Sequence, residues 1–221
     1  MFNDHHLQRS VQAELDWDPS VIAAHIGVTA ADGVVTLTGH VESFAEKHAA
    51  EMAARRVKNV KAVAEEIEVR LPFETVRGDD EIAAAAIARM AWDVTIPPDA
   101  IRVTVENGWL TLTGEVDGHY QQMAAEQDLR PLMGVVGISN QTTIKPKVDT
   151  TNVRDDIMHA LHRSWFFDPE TIHVSAEGGK VLLQGNVHTM HDRDLAVATA
   201  WSTSGVTSIE NDITVSLAKQ E

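Results

Sequence analysis

Eleven histidines, thirty-three carboxylates and no cysteine set the chemistry open to this 221-residue chain. Without cysteine there is no thiol nucleophile and no disulfide, which suits either the cytoplasm or an oxidising compartment. His188, His191 and Asp192 in "HTMHD", and His159 with His162, are spaced to share a helix face, the arrangement a metal site would use. Neither group makes a full zinc ligand set, and neither recurs elsewhere in the chain, so both are expected to be solvated surface histidines. No metal site and no cofactor are expected. No serine stands in a G-x-S-x-G elbow, and paired carboxylates single out nothing in so acidic a chain. No catalytic residue is assigned, and the chain is expected not to be an enzyme.

Two other residue types recur with regular spacing. Gly33, Gly108 and Gly179 are each followed six residues later by a second glycine: Gly39, Gly114 and Gly185. A phosphate cradle needs its glycines between a strand and a helix. These lie across a hairpin pattern, so turn geometry is the expected reason for them. Trp17, Trp92 and Trp165 each follow an amphipathic stretch, and Phe166 and Phe167 extend the third. Capping the core of a small domain is the first expectation for these aromatics. Contact between domains, or insertion into a bilayer interface or ligand, are the alternatives. These five are the candidate ligand or interface residues.

The elements that must position them are repeated three times. "IGVTAADGVVTLTGHV", "IRVTVENGWLTLTGEV" and "IHVSAEGGKVLLQGNV" share one pattern, and their first glycines are 75 and 71 residues apart. Such periods suit complete miniature domains rather than solenoid units. Each copy opens with a helical pattern, as in Leu7, Val11 and Leu15, or Val153, Ile157 and Leu161 with Thr151 or Asn152 as N-cap. Turns at Asp18-Pro19, Pro97-Pro98 and Asp168-Pro169 follow. Alternation then predicts a hairpin, with Ile26, Val28, Val35 and Leu37 and their counterparts pointing inward. A second helix comes next, with a capping box from Ser43 to Glu46 in the first copy and a stop near Pro131 in the second. A last strand closes each unit. The order α-β-β-α-β predicts an α+β fold of three tandem small domains, each with two helices on one face of a three-stranded sheet. The boundaries are 1–72, 78–146 and 151–218.

On "VTLTGHV", "LTLTGEV" and "VLLQGNV", and on closing segments such as "TSGVTSIENDITV", the chain resembles the BON domain of bacterial osmotic-shock-inducible and nodulation proteins. The first copy departs most, with Asn59 in place of glycine and Glu65 in place of Asn140 and Asn211. The resemblance implies a non-enzymatic binding module linked to osmotic stress or envelope integrity. It implies phospholipid or a membrane surface as a partner, while other members resemble ion-responsive stress proteins of the cytosol.

The net charge of −15 is spread over all three copies. It opposes nucleic acid, which requires clustered Lys and Arg, and it opposes attraction to anionic lipid. Short linkers and repeated surfaces suit avidity and a homo-oligomer. "MFNDHHLQRSVQAELDWD" lacks the features of a secretory signal, so a cytoplasmic location is expected, or a periplasmic one if the start has been trimmed. The expected function is a stress-associated binding or assembly protein, with a cytoplasmic self-assembling scaffold or a cation-responsive protein as the alternative.

Overall fold

The computed structural model describes residues 4–146, 152–163 and 171–216. Module one runs α1 (Asp4–Trp17), β1 (Ile26–Ala31), β2 (Val34–Val41), α2 (Phe44–Arg56) and β3 (Ala62–Val69). Module two repeats it as α3 (Asp79–Ala91), β4 (Ile101–Glu106), β5 (Trp109–Val116), α4 (His119–Leu129), β6 (Gly137–Asn140) and β7 (Thr143–Ile144). Module three has α5 (Val153–His162), β8 (Ile172–Glu177), β9 (Lys180–Val187), α6 (Met190–Trp201) and β10 (Ser208–Val215). The α+β arrangement of three small sheets follows from this order. No described helix is long and apolar enough to cross a membrane.

In each sheet the hairpin is antiparallel and the last strand lies parallel to the hairpin's second strand. That parallel pairing needs a crossover, which the second helix provides. The central strand therefore carries the core. Val35 and Leu37, Leu110 and Leu112, and Val181 and Leu183 are all buried. Leu7, Val11 and Leu15 are buried where α1 packs on β1 and α2, as Val153, Ile157 and Leu161 are where α5 packs on β8 and α6. The closing strand of module two is broken into β6 and β7 by the pair Gln141–Thr142.

The chain divides into two compact units, Met1–Val116 with Gln121–Thr143, and Asp117–Tyr120 with Ile144–Glu221. The first holds module one and most of module two. At their seam His48 of α2 is half-buried, and burial together with the Arg130 cation lowers its pKa, with Glu51 and Glu126 opposing. Within the second unit the rings of His119 and Trp201 stack with centroids 4.1 Å apart.

Two helix starts differ from the sequence reading. Ser43 Oγ accepts from Glu46 N as expected, but the Glu46 carboxylate does not return to Ser43. Instead it accepts from Ile22 N at 2.8 Å and Glu42 N at 3.0 Å, tying the loop after α1 to the head of α2. Asn152 stands at the N-cap of α5 without a capping hydrogen bond. The reciprocal box occurs at α6, where Thr189 and Asp192 exchange bonds of 3.0 and 3.1 Å.

Candidate functional site

The two glycine series do different things. Gly33, Gly108 and Gly179 sit in the hairpin turns with φ of 88°, 77° and 86°, as turn geometry requires. Their carbonyls also accept from the first amide of the closing segment, Lys61, Val136 or Thr207, at 2.8–2.9 Å. Gly39, Gly114 and Gly185 are not turn residues. They lie inside β2, β5 and β9, with φ of 114°, 135° and 146°. A Cβ at any of them would overlap the carbonyl oxygen of His25, Ala100 or Thr171, just before the first strand. This second series lets two backbones approach. Asn59, which departs from the glycine pattern, takes the same positive φ (76°), a conformation asparagine tolerates.

Trp17 and Trp92 are not core residues. Trp17 is 82% exposed and Trp92 84%. Each follows the last buried residue of its helix, Leu15 or Met90, by two positions, about 200° around the helix axis. Matching turns fix the chain just beyond them. Asp18 accepts from Ser20 N and Oγ, and Asp93 from Thr95 N and Oγ1, and these bonds hold both carboxyls below their usual pKa. In Asp18 the Arg56 guanidinium adds to the effect. Trp165, Phe166 and Phe167 lie outside the described residues, as do Thr151 and the turn at Asp168-Pro169.

One helix face separates the middle module from its neighbours. The buried side of α3 is Ile82, Ala86 and Met90. Its exposed side carries Ala84, Ala85, Ile87, Ala88, Ala91 and Trp92, followed by the fully exposed Val94. The equivalent α1 residues are Arg9, Ser10, Gln12, Ala13, Asp16 and Trp17. In α5 they are Asp155, Asp156, Met158, His159, His162 and Arg163. Among the described residues, only the middle copy turns an apolar face to solvent here. The sequence carries its signal in Ala84, Ala88 and Ala91, which lie opposite Ile82, Ala86 and Met90 on the helix and were not singled out as a surface.

The remaining clusters have structural duties. Arg56 joins α2 to Glu14 and Asp18 at 3.0 and 2.9 Å, and Arg89 joins α3 to Asp128 at 3.2 Å. In module three the corresponding crossing shows no such bridge among the described residues. An open groove of about 450 Å³ lies there between Asp156, His159, Thr199 and Ser202. The Thr199 and Ser202 hydroxyls already donate to Leu195 O and Ala198 O. Ser10 Oγ lies 3.4 Å from His6 Nδ1, but its hydroxyl donates to the His6 carbonyl and the pair stands exposed on α1. Asp192 beside His188 and His191 is engaged in the cap of α6. Among the described residues no three His, Asp or Glu side chains converge as metal ligands. What the geometry offers is contact surface: an apolar helix face and the highly exposed Trp17 and Trp92.

Comparison with known proteins identifies the repeated unit. The family model described as BON domain matches three times, at residues 3–70, 78–146 and 149–216. Osmotically-inducible protein Y of Escherichia coli (strain K12) is 29% identical over 147 residues, covering 65% of this chain and 73% of its own length. Among solved structures, CdsD, a structural protein of the type III secretion system of Chlamydia trachomatis, is 16% identical with a TM-score of 0.28, covering 97% of this chain and 94% of that one. Its C-terminal domain gives a TM-score of 0.26. Scores this low carry no weight for function.

Proposed function

The chain belongs to the BON-domain family, and from that premise we propose that it is a non-enzymatic binding and assembly protein of the osmotic stress response. The stress association rests on the similarity to osmotically-inducible protein Y. The binding role rests chiefly on the outward face of α3, where a soluble surface carries Ile87, Trp92 and Val94 at 62%, 84% and 99% exposure. Assembly through such surfaces is the reading we favour, because a net charge of −15 repels anionic lipid.

Phospholipid or another envelope amphiphile is the second reading. Its specific support is that Trp17 and Trp92 sit exposed at equivalent helix ends, the kind of side chain that settles at a bilayer interface. Flotation with zwitterionic and anionic vesicles tests it. On this reading the chain floats with zwitterionic vesicles, and Trp17→Ala with Trp92→Ala cuts the bound fraction at least tenfold. Failure to float with either vesicle removes phospholipid and leaves assembly.

A further inference from the structure

We propose that the outward face of α3 docks a second copy of the chain, with the two α3 helices antiparallel about a two-fold axis near Ala85. The proposal rests on the assembly reading and gives it a site and a partner. Ala84, Ala88 and Ala91 run down the middle of the exposed face, with Ile87 on one flank and Ala85 and Trp92 on the other. Small residues at the centre let two helix axes come to the near end of the 8–10 Å packing range. Ile87 and Trp92 then supply apolar bulk at the edges.

Charge selects both the orientation and the partner. The first turn of α3 carries Asp79, Asp80 and Glu81, and Arg89 stands near the other end. Glu81 and Arg89 lie eight residues apart, about 12 Å along the helix, and on the same flank as Ala85. An antiparallel pair centred on Ala85 sets Glu81 of each copy opposite Arg89 of the other, and opposes the two helix dipoles favourably. A parallel pair would instead set the acidic turns against each other. Arg89 spends Nε on Asp128, and its side chain is still 55% exposed. Glu81 spends one oxygen on Gly78 N. Both thus keep polar atoms for a partner. A bilayer fits the same face poorly, since helices that lie in membranes rim their apolar side with Lys and Arg. Here the rim is three carboxylates to one arginine.

The chain has no cysteine, so one introduced thiol reports the geometry cleanly. Ala85→Cys and Ala91→Cys both alter exposed positions of the full chain. The antiparallel pair brings Ala85 beside its own copy, while it holds the two copies of Ala91 about 18 Å apart. Under mild oxidation Ala85→Cys is expected to form disulfide-linked dimers at least tenfold faster than Ala91→Cys. Adding Ala88→Glu to Ala85→Cys is expected to abolish the difference. Equal rates at the two positions would overturn the antiparallel docking. So would an unlinked Ala85→Cys chain that still sediments as an oligomer, although the assembly reading would then survive with its interface elsewhere. A monomer whose α3 face is taken up by zwitterionic vesicles would end both.

Discussion

At the scale of single residues, two glycines in module three separate conformational need from steric need. Gly178 has φ of 55° with nothing near the position of a Cβ, whereas Gly185 combines φ of 146° with an overlap against the Thr171 carbonyl. Gly178→Ala is expected to cost about 1 kcal/mol, the usual penalty for a left-handed alanine. Gly185→Ala adds the displacement of a backbone and is expected to cost about 2–4 kcal/mol. Urea unfolding of both variants checks the order, and equal costs would mean that the close approach relaxes freely. The six-residue glycine spacing was legible in the sequence, but its division into turn and strand was not. Only the hairpin register, which sets Ile172 opposite Gly185, shows which glycine faces a carbonyl. The exposure of Trp17 was more accessible, since it follows Leu15 by two residues and so falls on the opposite side of α1.

At the scale of elements, the three copies solve one joint in different ways. Glu46 uses its carboxylate to accept from Ile22 N, across the loop that follows α1. The equivalent of Ile22 in module two is Pro97, which has no amide hydrogen, and the equivalent of Glu46 is Gln121. Gln121 reverses the polarity by donating from Nε2 to Thr95 O at 3.1 Å. Gln121 is buried, with only 4% of its surface exposed. Gln121→Glu would therefore set a carboxylate against a carbonyl and is expected to cost about 1–3 kcal/mol. Glu46→Gln should cost less: the amide keeps an acceptor for Ile22 N, and although its nitrogen then meets Glu42 N, no charge is set against a carbonyl. Thermal unfolding of the two variants checks this, and a harmless Gln121→Glu would contradict the joint described. A second joint repeats with similar freedom. Lys47 Nζ donates to Ile67 O at 2.7 Å, and Gln122 Nε2 to Thr142 O at 2.6 Å, each pinning the second helix to the closing strand. Glu65 and Asn140 accompany these two donors, and in the first copy the carboxylate lies 3.3 Å from the lysine. Burial nonetheless raises the Glu65 pKa. The order of helices and strands was readable from periodicity, whereas these polar joints were not, because they link residues about twenty positions apart.

At the scale of the whole molecule, repetition provides three similar folds, and function follows from where the copies differ. The sheet cores use the same inward pairs throughout, so they distinguish nothing. The first helices distinguish the copies clearly: polar on the outside in α1 and α5, apolar in α3. A chain of net charge −15 that exposes such a face resists non-specific collapse through repulsion and still permits a defined contact. Sedimentation velocity of the wild-type chain beside Ala88→Glu shows whether this face mediates association. The range from about 1 to about 100 µM is the one in which a single-helix interface, at the small end of stable contacts, should equilibrate. The wild type is expected to shift reversibly from the 24.2 kDa chain toward twice that mass, and Ala88→Glu to stay monomeric throughout. Wild type and variant that sediment alike at every concentration would contradict it.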